Sequence, residues 1–118
     1  MRTIIAGGRD FNCYSFLSSE IDTFRRSISS EVTVISGRAR GADKLGERYA
    51  SDNDLKVRMF PADWDKYGRS AGYIRNSEMV ESSEALIAFW DGKSKGTKHM
   101  IDLALKKGLL VKVVPYQA

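Results

Sequence analysis

The turn that decides the fold reads Ile35-Ser36-Gly37-Arg38-Ala39-Arg40-Gly41-Ala42-Asp43. It follows the β-branched run Val32 to Ile35 and leads into residues 44 to 50, so it predicts a passage from a buried strand into a helix. Small residues in such a turn let the backbone approach a ligand closely, and a helix N-terminus attracts anions. Arg38 and Arg40 add positive charge at the same rim. The stretch predicts a phosphate or carboxylate site, the alternative being a solvated loop.

Length and composition indicate a single domain over residues 1–118. No apolar run reaches the ~20 residues that a membrane-spanning helix needs, so we expect no membrane partner. The first residues form too short an apolar run for a signal peptide, and a single cysteine, Cys13, excludes an internal disulfide. These features predict a cytoplasmic protein. Its 19 Lys and Arg against 15 Asp and Glu give a mild net charge of +4, whose meaning depends on where the charges lie.

Short apolar strands alternate with amphipathic helices along the chain. Strands are predicted at residues 3–6, 32–35, 56–60, 85–90 and 109–114. Helices are predicted over about residues 12–28, 41–51, 71–82 and 97–107, and a long loop over residues 61–70. Because parallel neighbours need helical crossovers, this order predicts an α/β, Rossmann-like fold with a five-stranded, mainly parallel sheet and helices on both faces.

Three of the predicted strands end in glycine-rich loops, and in an open parallel sheet such loops meet at one edge. The loops are Gly7-Gly8-Arg9, Ser36-Gly37-Arg38 and Asp91 through Thr97. Basic residues lie in or beside them: Arg9, Arg38, Arg40, Arg69, Arg75, Lys93, Lys95 and Lys98. A basic, glycine-lined crevice favours a phosphorylated ligand. Trp64 or Tyr67 can stack on a base there, or pack as loop residues onto the core.

The motifs of several familiar sites are absent. No loop matches the Walker or the G-x-G-x-x-G pattern. His99 and Cys13 stand alone and far apart in sequence, so neither a metal site nor a cofactor is predicted. Among the carboxylates, Asp91 ends a buried strand at the crevice and is the candidate for binding ribose hydroxyls, whereas Asp43 is expected to begin the second helix.

Four motifs span nearly the whole chain: Ile4 to Phe11, Ser36 to Asp43, Arg75 to Met79, and Phe89 to Thr97. Together they resemble the small YspA/YpsA-related branch of the SLOG superfamily, found in phages and bacteria, a Rossmann-like group that includes the LOG phosphoribohydrolases and the DNA-processing protein Smf/DprA. The loops and this resemblance give the candidate ligand-binding set: Gly7, Gly8, Arg9, Ser36, Gly37, Arg38, Gly41, Ala42, Asp43, Arg75, Asn76, Asp91, Gly92, Ser94, Lys95, Gly96 and Thr97.

The resemblance is specific for the family but weak as an indication of the reaction that the LOG enzymes catalyse. In the LOG enzymes an arginine in R-K-x-x-M and a glutamate in P-G-G-x-G-T-x-x-E cleave the N-glycosidic bond of a nucleoside monophosphate. Here Arg75 fits the first pattern, with Asn76 in place of the lysine, but Met100 stands at the position of the glutamate. A thioether is neither an acid nor a base, so LOG-type cleavage is in doubt. Arg75 and Asp91 are the candidate catalytic residues.

Three functions compete. The first is a protein that binds a nucleotide or an ADP-ribose-like ligand as a sensor, carrier or sequestering agent. The second is a nucleotide hydrolase of the N-glycosidic type, in which Asp10, Asp43 or Asp91 replaces the absent glutamate. The third is single-stranded nucleic acid binding, which the mild charge and the few aromatics make less favoured. The resemblance further implies a homodimer or a higher homo-oligomer.

Overall fold

Five strands and five helices alternate along residues 1–117, the part of the chain that the computed structural model describes. The strands are β1 (Arg2–Gly7), β2 (Thr33–Ser36), β3 (Val57–Met59), β4 (Ala85–Trp90) and β5 (Leu110–Pro115). The helices are α1 (Tyr14–Arg26), α2 (Ala42–Asp52), α3 (Trp64–Tyr67), α4 (Ala71–Glu81) and α5 (Lys95–Lys107), and a 3₁₀ turn (Gly68–Ser70) joins α3 to α4.

The strands form one sheet in the order β3-β2-β1-β4-β5. The central strand β1 pairs with β2 from Arg2 opposite Thr33, and with β4 from Thr3 opposite Ala85. All four pairings are parallel. The predicted α/β, Rossmann-like fold is confirmed, and the sheet of the described residues is parallel throughout rather than mainly so.

Alternate residues of the central strands enter two separate cores, because successive side chains of a strand point to opposite faces. Ile5, Ile87 and Phe89 pack on the face that α1 and α2 cover. Ile4 and Leu86 pack on the opposite face, under α4 and α5. None of these five side chains has exposed surface, which explains why the strand at residues 85–90 is apolar without interruption.

The prediction of a continuous loop over residues 61–70 was wrong. The carboxylate of Asp63 accepts a hydrogen bond from the Lys66 N–H at 3.0 Å, and this cap starts α3. The last helix also begins earlier than predicted. Ser94 caps it by accepting from the Thr97 N–H at 3.4 Å, so α5 starts at Lys95 instead of Thr97.

No helix within residues 1–117 is both long enough and apolar enough to cross a bilayer.

Gly41 brings the loop after β1 against the loop after β2. Its φ of 80° and ψ of −129° lie in a region that only glycine adopts readily. A Cβ atom on Gly41 would lie 2.1 Å from the carbonyl oxygen of Gly8 and 2.9 Å from the Cα of Arg9. The Ala42 N–H donates to the same Gly8 oxygen at 3.4 Å. The two loops are therefore packed backbone to backbone.

Gly41→Ala should lower the free energy of unfolding by about 3 kcal/mol or more, because backbone strain and a steric clash add. Gly108→Ala is the matched control: its φ is 85°, but no atom lies within 4 Å of a Cβ there, so the left-handed conformation alone should cost about 1 kcal/mol. Urea denaturation measures both variants. Equal losses would contradict the close approach of the two loops.

Candidate functional site

A cavity of about 230 Å³ opens beyond the carboxyl ends of β1, β2 and β4. The chain runs outward from β1 to β2 and β3 and then crosses to β4 on the other side of β1, so the cavity lies where the strand order reverses. Its lining consists of Ala6, Gly7, Arg9, Ala39, Asp43, Trp64, Arg69, Gly72, Tyr73, Arg75, Asn76, Ser94, Gly96, Thr97 and Met100. Three of these side chains are arginines and one is a carboxylate, so the lining is positively charged.

Arg75 reaches from α4 to the loop after β2. Its Nη1 donates to the carbonyl oxygen of Gly37 at 2.8 Å, while its Nε is buried and has no hydrogen-bond partner within the described chain. Burial lowers the pKa of the Arg75 guanidinium, the carboxylate of Asp43 opposes this shift, and Arg9 adds to it. A guanidinium stays protonated despite such shifts, so Arg75 is a partly buried cation with spare donors, which is a state that favours binding an anion.

Asp43 lies at the turn for which the sequence predicts an anion-binding site. Its side chain is almost completely buried, and Oδ2 accepts a hydrogen bond from the Ala39 N–H at 3.4 Å. Burial raises the pKa of the Asp43 carboxyl from its ordinary 3.8 to about 6, against the charge of Arg75 and the N–H groups of Ala39 and Gly37, which lower it. The anion in this turn is thus the protein's own carboxylate.

The N-terminus of α5 forms another wall of the cavity. The first N–H groups of a helix have no acceptor within it, and Ser94 satisfies that of Thr97. The N–H groups of Lys95 and Gly96 are left without an intrahelical acceptor. A Cβ atom on Gly96 would meet nothing within 4 Å, so the backbone here is open to a ligand. This end of the cavity suits a phosphate.

At the glycines of the other two loops, atoms of the protein itself occupy the space that a side chain would need. A Cβ atom on Gly7 would lie 2.4 Å from the Phe89 carbonyl oxygen, and one on Gly8 would lie 1.7 Å from the Tyr116 hydroxyl. One on Gly37 would lie 2.8 Å from Oδ2 of Asp43. These glycines serve close internal packing, which the sequence pattern does not distinguish from room for a ligand.

Aromatic side chains stand at the mouth of the cavity. Trp64 on α3 is 51% exposed and Tyr73 on α4 is 46% exposed. Tyr73 packs edge-on against His99, with 4.5 Å between ring centroids, and Asn76 contacts Nδ1 of His99 at 3.2 Å. The mouth therefore offers flat apolar surface beside the arginines of the lining.

The family of the chain follows from sequence comparison. The model of the YAcAr family, described as the YspA, cpYpsA-related SLOG family, matches residues 1–67, more than half of the chain. The chain belongs to this family. The Gene 61 protein of Mycobacterium phage D29 is 36% identical to this YAcAr chain over 86 residues, which cover 68% of this chain and 69% of the phage protein.

The fold of the YAcAr chain is similar to that of a solved structure, DNA processing protein A (DprA) from Streptococcus pneumoniae. The TM-score is 0.72 at 16% sequence identity, and the match covers 98% of this chain. The chain spans half the length of that DprA structure. At this identity the likeness shows the shared fold alone.

The cavity brings together part of the predicted ligand-binding set. The predicted residues that line it are Gly7, Arg9, Asp43, Arg75, Asn76, Ser94, Gly96 and Thr97. The predicted residues outside the lining are Gly8, Ser36, Gly37, Arg38, Gly41, Ala42, Asp91, Gly92 and Lys95. The first group joins the loops after β1 and β4 to Asp43 of α2 and to α4, whereas Ser36, Gly37 and Arg38 of the loop after β2 do not line the cavity.

Arg38 and Asp91 bind protein groups of the YAcAr chain. Arg38, which has a φ of 66°, pairs through Nη1 with Oε1 of Glu47 at 2.6 Å, and Glu47 also accepts from the Ser36 hydroxyl at 2.6 Å. Oδ1 of Asp91 accepts from the N–H groups of Lys93 and Ser94, each at 2.8 Å, and these hydrogen bonds lower the pKa of that carboxyl. Both side chains shape loops around the cavity without lining it.

Several lining residues lie outside the predicted set. Ala6, Ala39 and Gly72 carry no chemical signal, and Tyr73 sits in a helix where an aromatic residue is ordinarily core. The sequence around Tyr73, between Gly72 and Ile74, carries no signal that would have placed it at the cavity. Met100 lines the cavity although it is only 2% exposed, because its side chain packs in the core beneath α5 and forms a wall of the cavity there. Within residues 1–117, no three His, Cys, Asp or Glu side chains are placed to hold a metal ion.

Asp43 should make stability fall as the pH rises. Its pKa of about 6 in the folded chain exceeds the ordinary 3.8, so between these values the folded state binds more protons than the unfolded state. The stability of wild type relative to Asp43→Asn should therefore fall by about 2.5 kcal/mol from pH 4 to pH 7. Urea denaturation at several pH values measures this difference. The exposed Asp54, changed to Asn, is the control, and parallel pH profiles for wild type and Asp43→Asn would contradict the raised pKa.

Proposed function

We propose that this protein binds a nucleotide, or a small nucleotide-derived molecule, in the cavity at the edge of the sheet. The observation that carries the proposal is that one cavity lining combines three arginines and a helix N-terminus with two exposed aromatic side chains. Arg9, Arg69 and Arg75 lie in the same lining as the open N-terminus of α5. Phosphate suits this part of the lining, since arginines and helix N-termini are its usual partners.

The mouth favours a base. Trp64 and Tyr73 expose flat surface, and aromatic stacking on a nucleobase contributes roughly 1–3 kcal/mol. The size of the cavity, about 230 Å³, is below the roughly 300–1,000 Å³ of pockets that enclose a drug-sized ligand. This favours a mononucleotide whose sugar and phosphate are enclosed and whose base lies partly exposed against the aromatics.

Binding without cleavage is the form of the proposal that the lining supports. Met100 stands where the LOG enzymes carry a glutamate, and its side chain is part of the cavity wall. A thioether at that place supplies neither a proton nor a negative charge to a glycosidic bond under attack. We therefore propose a role as a sensor, carrier or sequestering protein.

Trp64 gives a direct test. Titration with AMP, GMP, CMP, UMP and ADP-ribose should change tryptophan fluorescence for at least one ligand, because a base stacked on the exposed indole alters its environment. Trp64→Phe should abolish most of the change while keeping measurable affinity by calorimetry, since Phe retains a stacking surface. Trp90, which donates to the Ser94 carbonyl at 3.1 Å, remains as an internal reference. Absence of binding for every ligand at millimolar concentration would contradict the proposal.

Removing a cavity arginine should weaken binding. We expect Arg9→Ala to cost about 1.5–3 kcal/mol in affinity through loss of a charge-assisted hydrogen bond. Arg26→Ala is the matched control, because Arg26 is exposed in the last turn of α1 and lies outside the cavity lining. Calorimetry compares the two variants, and equal effects would indicate non-specific attraction by the net charge.

Mass spectrometry after prolonged incubation separates binding from hydrolysis. The nucleotides should remain intact. Release of free base or of ribose 5-phosphate would replace the binding proposal with the phosphoribohydrolase alternative.

A further inference from the structure

Asp43 is the carboxylate in the lining of the cavity, where every other charged lining residue is an arginine. A buried carboxylate is costly unless hydrogen bonds compensate it. The Ala39 N–H reaches Oδ2 only at the long distance of 3.4 Å, and the Gly37 N–H is the other backbone donor nearby. A carboxylate has about four acceptor positions, so Asp43 keeps unused acceptors beside the cavity.

Arg75 forms no hydrogen bond with the carboxylate oxygens of Asp43. A Cβ atom on Gly37 would lie 2.8 Å from Oδ2 of Asp43 and 3.1 Å from Nε of Arg75, so the two charged groups flank the same backbone position. Arg75 nevertheless directs Nη1 to the Gly37 carbonyl oxygen, and its Nε has no partner within the described residues. Asp43 thus keeps acceptors that the neighbouring guanidinium does not use.

The charge of Asp43 decides which part of a nucleotide fits against it. A phosphate is repelled by the carboxylate and is drawn instead to the N-terminus of α5 and to Arg9. The base is favoured at the mouth by Trp64 and Tyr73. The sugar remains, and its hydroxyl groups are uncharged donors that also accept, which matches a carboxylate next to a guanidinium.

We propose that Asp43 accepts a hydrogen bond from the ribose diol of the bound nucleotide, so that the site selects ribosyl phosphates over deoxyribosyl phosphates. This inference rests on the proposed nucleotide site and names its ligand class. It gives Asp43 the role that the sequence had suggested for Asp91.

The test compares matched ligands. AMP, GMP, CMP and UMP are titrated by calorimetry against their 2′-deoxy and 3′-deoxy counterparts, on wild type, Asp43→Asn and Asp54→Asn. Wild type should prefer the ribonucleotide by about tenfold or more over at least one deoxy form, as for a hydrogen bond to a charged group. The preference should fall below about threefold in Asp43→Asn. Asp54→Asn should behave as wild type, because Asp54 is exposed and its φ of 55° suits asparagine equally.

Each outcome separates the two proposals. If wild type binds ribo- and deoxyribonucleotides equally, the role of Asp43 is wrong and the nucleotide site stands. If the preference for ribonucleotides survives in a folded Asp43→Asn variant, another residue binds the diol, and the assignment of this role to Asp43 is overturned. If no monophosphate binds wild type, both proposals fall.

A measurement on wild type alone covers the case in which Asp43→Asn does not fold. A fluorine in place of the discriminating hydroxyl keeps a small electronegative group but cannot donate. The fluoro analogue should bind as weakly as the deoxy form, and binding as tight as that of the ribonucleotide would overturn the role of Asp43 as acceptor.

Discussion

The parallel pairing of β1 with both β2 and β4 is the constraint on which the rest of the molecule depends. Parallel register puts the carboxyl ends of the three strands at one edge, so the loops that follow them meet. Ile4 and Ile5 have no exposed surface and face opposite cores. A shift of β1 by one residue would exchange these faces and disrupt both cores at once. The position of the cavity is therefore fixed by the packing of the sheet.

The loops after β2 and β4 have similar compositions, but they differ in whether their backbone is open to a ligand. The loop after β2 closes on the protein's own groups: Gly41 packs under the Gly8 carbonyl, and the carboxylate of Asp43 fills the turn. The loop after β4 leaves Gly96 open beside the N-terminus of α5. An anion from outside thus meets a negative group at the first loop and free donors at the second. This asymmetry is the basis of the proposal that a phosphate and a sugar bind at different ends of the cavity.

Membership in the YAcAr family and the DprA-like fold agree with this architecture, and the chemistry comes from the side chains that line the cavity. Met100 contributes a thioether to the wall, which is neither an acid nor a base. The carboxylate in the lining is that of Asp43, next to the partly buried Arg75. The lining therefore carries both signs of charge, which is why we propose that it binds more than a phosphate.

The sequence by itself determined the order of the five strands and of the four longer helices, and the edge where the loops meet. Those depend on local periodicity and on turn residues, and the β4 strand at residues 85–90 was predicted to the residue. Asp63 caps α3 through a local signal, and the prediction of a loop over residues 61–70, which did not use this signal, was wrong. Only the tertiary structure decided which charged side chains face the cavity. Arg38 turns to Glu47 nine residues away, whereas Arg75 reaches Gly37 across 38 residues. The direction of a long side chain is set by partners that folding brings near, and no spacing in the sequence records them.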